Sequence, residues 1–284
     1  MSTGIIWTLA RGRVLGPAPF FVLGVLNVTP DSFYDGGKFL QQEAAIKQAQ
    51  TLLQEGADVL DIGGESTRPF SSRVDKEQEL QRILPILTRV LEDRPQAVLS
   101  VDSYKSEVAR QALEAGALIV NDVSACRFDP ELLHILGQYK PGYVLMHSLD
   151  RPEEMQKEPR YKDVLQDIKS FFEQHLNRLI KAGLPEEKIV LDPGIGFGKT
   201  LEHNLQILAR IQEFFGLGRP VMVGLSNKSM WGKLLGLESG QRQNATQVAT
   251  ALMAQKGVAV HRVHQVGLTR QSLQIVRSLQ EIYQ

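Results

Sequence analysis

The chain has little cysteine, no net charge and no long hydrophobic run. A single cysteine, Cys126, among 284 residues excludes an internal disulfide and any cysteine-built metal cluster. Lysine plus arginine is 32 and aspartate plus glutamate is 32, so the formal net charge is zero. That balance argues against a nucleic-acid or membrane-surface partner met through global charge, though it leaves room for a local basic pocket. No apolar stretch reaches the roughly 18 residues needed to cross a bilayer. The opening segment, MSTGIIWTLARGRVLG, lacks the basic-then-apolar layout of a secretory signal. The expectation is a cytoplasmic protein. With 43% hydrophobic and 23% charged residues, disorder is excluded as the main state.

What is present is a rhythm. Apolar, β-rich runs recur at 20–28, 59–64, 97–102, 118–123, 142–147, 189–194, 220–226 and 258–264. Nearly continuous apolar runs of this kind suit strands buried on both faces of a parallel sheet. Helical patterns lie between them, over 42–56, 75–93, 105–116, about 161–182, 203–215, 244–256 and 268–282. Gly56, Gly116 and Gly183 stand where three of these should stop. Pro85 is a kink point inside the second. Eight strands alternating with about eight helices predict an α/β fold, a (β/α)8 barrel in one domain over residues 1–284. A doubly wound open sheet is the competing arrangement. Residues 5–15 form a short extension, read as a hairpin closing the barrel bottom.

Polar residues break the apolar runs near their C-terminal ends. They are Asn27, Asp61, Asp102, Asn121 with Asp122, His147, Asp192, Ser226, and Arg262 with His264. Active sites of such barrels lie on that face, and burying this many polar groups is costly unless they pair with one another or with a ligand. One convergent pocket is therefore expected. Asp61 lies inside its strand, so a structural pairing with Arg262 or another base is favoured over direct chemistry. The longest loops, 29–39 and 65–74, follow the first two strands and are read as lids.

The segment PGIGFGKT (193–200) mimics a phosphate loop but fails both patterns. The Walker motif requires glycine where Pro193 stands, and the dinucleotide fingerprint requires it where Lys199 stands. The two histidines of His-Arg-Val-His (261–264) point to opposite faces of a strand, whereas Arg262 and His264 share one. That pair suits an anion, with a salt bridge at the barrel top as the equal alternative.

The longer motifs decide between them. GVLNVTPDSFYDGG (24–37), DIGGESTRP (61–69), SVDS (100–103), NDVS (121–124), LMH (145–147), LDPGIGFGKTLEHN (191–204), VGLSNKS (223–229) and RVH (262–264) together resemble dihydropteroate synthases, in the family's order and over nearly the whole chain. The resemblance implies a (β/α)8 barrel that joins 4-aminobenzoate to a dihydropterin methyl diphosphate and releases diphosphate. It assigns the pterin to Asp102, Asn121, Met146, Asp192, Phe197 and Lys228. Asp192 suits a bidentate grip on the guanidine-like pterin edge, Asn121 matches a mixed donor and acceptor edge, and Met146 and Phe197 supply burial.

The same resemblance assigns the diphosphate to Thr67, Arg68, Arg262 and His264, and a magnesium ion to Asn27. It assigns 4-aminobenzoate to Phe33, Thr67, Pro69, Lys228 and Ser229, with Ser229 opening a helix. Asp35, Arg68, Asp102 and Lys228 are the implied catalytic residues, serving a dissociative substitution in which Asp35 and Asp102 stabilise positive charge. Cys126 has no role in that scheme. A homodimer, with an interface from the last helices, is expected by analogy. The chain departs from many members at Asn227, where arginine is common, and at Gln265, where aspartate is common. The alternatives are a pterin-binding methyltransferase, disfavoured by the TPDSF and STRP loops, and a non-catalytic paralogue, disfavoured by the intact polar set.

Overall fold

The computed structural model describes residues 4–29, 38–66, 73–149 and 159–282, with the backbone alone at 38–40. The first chain segment makes the expected hairpin: β1 (Ile5–Thr8) pairs antiparallel with β2 (Val14–Ala18). Eight parallel strands follow: β3 (Phe21–Asn27), β4 (Val59–Gly63), β5 (Leu99–Asp102), β6 (Ile119–Asp122), β7 (Gly142–Met146), β8 (Ile189–Asp192), β9 (Met222–Val223) and β10 (Val260–Val263). Their order is β8-β7-β6-β5-β4-β3-β10-β9, and a parallel bridge between Leu191 and Val221 brings the two edges together. The sheet is thus a barrel, not an open doubly wound sheet.

Nine helices among the described residues surround it: α1 (Lys38–Gln54), α2 (Lys76–Asp93), α3 (Ser106–Ala115), α4 (Leu132–Tyr139), α5 (Val164–Lys181), α6 (Leu201–Ala209), α7 (Ser229–Leu235), α8 (Gln243–Gln255) and α9 (Val266–Ile282). Helix α2 shows why the sequence folds this way. The Asp75 side chain caps it by accepting from the Gln78 N–H at 2.7 Å. Leu80, Ile83, Ile86, Leu87 and Val90 form its buried stripe. Pro85 lies on the exposed face, and the helix runs on through it. Helix α4 was not evident in the sequence. It is short and carries Gly137, where a Cβ would come within 2.1 Å of the Ala182 carbonyl oxygen, so packing overrides a weak helical signal.

Alternation along the strands divides the interior in two. Outward residues such as Val22, Leu60, Ile62, Val101, Val120, Leu145 and Leu191 pack beneath the helices. Inward residues Phe21, Leu23, Val59, Ile119, Val144, Val190, Met222 and Val260 fill the lower barrel with Trp7 and Leu9 of the hairpin segment. Trp7 is fully buried, and its Nε1–H donates to the Lys188 carbonyl at 2.8 Å. Apolar packing therefore closes the end of the cylinder where the strands begin. The polar strand ends all lie at the other end.

Candidate active site

Four inward side chains form the heart of the upper barrel. Arg262 on β10 donates through Nε to Asp61 Oδ2 on β4 at 2.7 Å, and through Nη2 to Asp102 Oδ2 on β5 at 2.5 Å. Asn121 on β6 donates through Nδ2 to the same Asp61 oxygen at 2.9 Å. Gly63 lies directly above Asp61 on β4, and a Cβ there would only reach ordinary contact with Asp102 Cβ, at 3.4 Å. Burial pushes the Asp102 carboxyl up to about 7, with Asp61, Glu79 and Asp122 adding to the rise and Arg262 opposing it. Burial works against the Arg262 charge too, but Asp102 and Asp61 more than offset it and hold the guanidinium above the ordinary arginine range.

A second group stands at the end of β8. Asp192 Oδ1 accepts from the Gly194 N–H at 2.7 Å. Burial raises its pKa, while the Gly194 bond and Lys228 work the other way. Met146 of β7 is level with it in register. Lys228 precedes α7, its Nζ 4.4 Å from the Phe197 ring centroid. Burial pulls the lysine down to about 8, against the attraction of Asp192. Ser229 opens α7 as expected, and it is exposed.

The loop carrying Phe197 is tied from beneath by Lys199. Its Nζ donates to the carbonyls of Gly194 and Phe197, each at 3.0 Å, and to His147 Nδ1 at 3.0 Å. The lysine of the false phosphate loop is thus spent on its own backbone. Gly194 has φ +68, and a Cβ there would meet the His147 carbonyl oxygen at 2.0 Å, so only glycine fits. The sequence does contain this signal, in a lysine amid five small or apolar residues, but it reads as a phosphate ligand until the fold is known.

Across the mouth, the His264 N–H donates to Ser226 Oγ at 3.3 Å, and His264 Nδ1 lies 3.0 Å from that oxygen. Asn27 ends β3, half-buried, level with Gly63. The predicted residues Phe33, Asp35, Thr67, Arg68 and Pro69 lie outside the described residues. Two polar strand ends do not converge with the rest. Asp122 follows Asn121 and so faces outward, where it accepts from the N–H groups of Ser124 and Cys126 and from the Tyr143 hydroxyl. Cys126 is buried in that turn. His147 packs on Phe171, ring centroids 4.8 Å apart. The single pocket thus draws on fewer strand ends than the sequence implies.

A further cluster went unforeseen at the root of the second long loop. Lys105 pairs with both Glu65 and Glu79. Glu65 also accepts from the Val74 N–H at 3.3 Å, so one carboxylate holds residues from both sides of segment 67–72. Glu79 is buried on the inner face of α2, where an acid amid Leu80, Ile83 and Ile86 was the only clue.

A parallel barrel with an apolar floor and a charged mouth defines a small-molecule enzyme of the (β/α)8 type. Residues 23–264 match the Pterin binding enzyme family. The chain belongs to that family. It is 38% identical to the dihydropteroate synthase of Escherichia coli over 269 residues, 95% of each chain. It superposes with a TM-score of 0.91 on the Yersinia pestis dihydropteroate synthase solved with a sulfonamide drug, at 38% identity over 98% of this chain and 100% of that one. The Xanthomonas albilineans dihydropteroate synthase in complex with 7,8-dihydropteroate matches at TM-score 0.86 and 38% identity, over 95% of this chain and 97% of that one.

Proposed function

We propose that the upper barrel of this chain works as a dihydropteroate synthase site. The reaction is condensation of (7,8-dihydropterin-6-yl)methyl diphosphate with 4-aminobenzoate to 7,8-dihydropteroate and diphosphate. The methylene carbon loses its bond to the diphosphate oxygen and gains one to the amine nitrogen, and the amine gives up a proton. The observation that carries this reading is one barrel mouth where buried Asp102, Asn121 and Asp192 meet half-buried Lys228 and Arg262, in a chain similar end to end to known synthases.

Asp192, Asn121, Asp102 and Lys228 hold the pterin edge, with Met146 and Phe197 against the ring. Lys228, pulled down to about 8, keeps most of its charge at neutral pH. Arg262 and His264, with Thr67 and Arg68, take the diphosphate. The Ser226 hydroxyl beside His264 Nδ1 favours the ring hydrogen on Nε2, a donor for an anion. Phe33, Thr67, Pro69, Lys228 and Ser229 take 4-aminobenzoate. Departure of diphosphate first leaves a pterin-stabilised cation, and Asp35 and Asp102 supply the negative charge that favours it, with Arg68 and Lys228 completing the catalytic set.

Magnesium fits this mouth through Asn27, because a partly exposed amide oxygen suffices for an ion that keeps its waters and binds phosphate oxygens. Among the described residues no trio of acidic, histidine or cysteine side chains could hold a metal by itself. The ion would neutralise charge on the leaving group.

The site takes two small molecules and needs neither nucleic acid nor membrane. We assign the protein to the cytoplasm; among the described residues no helix is long and apolar enough to cross a membrane. A homodimer is supported by exposed Leu234 and Leu235 on α7, Val248 and Leu252 on α8, and Leu268 and Ile275 on α9. The test is purified protein with both substrates and magnesium. Diphosphate release coupled to dihydropteroate formation is expected, and Asp192→Asn should lose pterin binding. Parental affinity in that variant would overturn the pterin assignment.

A further inference from the structure

Asp61 has no exposed surface and lies one inward position below Gly63, so no substrate can reach it. Yet two side chains assigned to the ligands lean on it. Asn121 Nδ2 at 2.9 Å and Arg262 Nε at 2.7 Å both donate to Oδ2, while Oδ1 has no partner among the described residues. A carboxylate accepts and cannot donate. The Asn121 amide must therefore turn its NH2 down toward Asp61, which turns its carbonyl oxygen up toward the pocket. The guanidinium is fixed in the same way. Its Nε is committed to Asp61 and one Nη2 hydrogen to Asp102, which leaves Nη1, on the opposite edge of the guanidinium, uncommitted to either carboxylate in a side chain that keeps 20% of its surface.

We propose that Asp61 is a positioning residue that sets specificity for the pterin: it fixes Asn121 as an acceptor toward the ligand, and Arg262 with its Nη1 edge uncommitted. The inference rests on the reading that Asn121 touches the pterin. It goes beyond a support role, because it states which hydrogen-bonding face the ligand meets. A ligand edge with an N–H opposite Asn121 is accepted, and one with only lone pairs there is rejected. An amide at position 61 can donate as well as accept, so it would let Asn121 turn over.

The experiment is a double-mutant cycle read by direct titration with the hydroxymethyl dihydropterin, which lacks the diphosphate and so bypasses most of the Arg262 contribution. Asp61→Asn is expected to weaken binding about tenfold, with the KM for 4-aminobenzoate unchanged. In an Asn121→Ala background the same substitution should cost less than twofold, because the side chain it acts through is gone. A loss of stability alone would give no such coupling. A tenfold loss that persists in Asn121→Ala overturns the proposal, as does parental affinity in Asp61→Asn. If Asn121→Ala itself binds like the parent, the assignment of Asn121 to the pterin fails first. Should Asp61→Asn not fold, Asp61→Asn with Arg262→Gln removes both charges together and is compared with Arg262→Gln alone. A further tenfold loss supports the proposal, and equal affinity overturns it.

Discussion

The two ends of the barrel are built from the same eight strands and have opposite chemistry. At the floor the inward positions are Val59, Ile119, Val190 and Val260, sealed by Trp7 and Leu9. Two residues further along the same strands they are Asp61, Asn121, Asp192 and Arg262. A period of two residues keeps the side chains pointing inward, so a single step up the cylinder changes a dry core into a charged chamber. The floor supplies stability through apolar burial and tolerates no unpaired polar group. The chamber holds its buried carboxylates at the cost of pairing, Arg262 serving both Asp61 and Asp102, and it is this charged set that the proposed ligands meet.

Substitutions that break one end and spare the other test this division. The largest effect is expected from Arg262→Met, which leaves Asp61 and Asp102 buried without their shared cation. Roughly 3–5 kcal/mol of unfolding free energy should be lost by urea denaturation, along with turnover. A stable, active variant would mean that the carboxylates find other partners. At the floor, Trp7→Phe keeps most of the bulk but removes the bond to Lys188. About 1–2 kcal/mol should be lost, with turnover per folded molecule unchanged; a drop in turnover would show that the floor is coupled to the mouth.

The smallest effect is in pH dependence. Asp102 has a folded pKa of about 7 against an ordinary value of 3.8, so the folded state keeps a proton that the unfolded chain releases. Its contribution is full below about pH 4 and is lost as pH rises through about 7. Lys199, pulled down to about 7, and Lys228, pulled down to about 8, act mainly above that window and in the opposite sense. Between pH 4 and 7, Asp102→Asn should therefore lose less stability than the parent, while Trp7→Phe follows the parental slope. Equal slopes in Asp102→Asn and the parent would contradict the raised value.

Most of the fold was legible because the apolar runs and the glycine stops carry it locally. The hairpin and the eight strands follow from such signals, whereas the opening of α7 at Ser229 was implied by the family resemblance. Helix α4 was not legible, since Gly137 serves a contact with Ala182 that only the folded chain creates. In the site, the pairing of Asp61 with Arg262 could be anticipated from a lone acid within a strand. The outward turn of Asp122 was concealed by its neighbour Asn121: adjacent polar residues look alike in sequence and face opposite ways in a strand. The contacts that Lys199 and Ser226 make, and the Glu65–Lys105–Glu79 cluster, were hidden for a different reason. Their partners are remote in sequence or are backbone carbonyls, which leave no mark in the residue string.

The sealed floor also governs traffic. A cylinder with one opening is a cul-de-sac, so whatever rests against Asp192 must arrive before, and depart after, anything lodged nearer the rim. The hairpin that stoppers the far end thus imposes a queue on the visitors to a chamber it never touches.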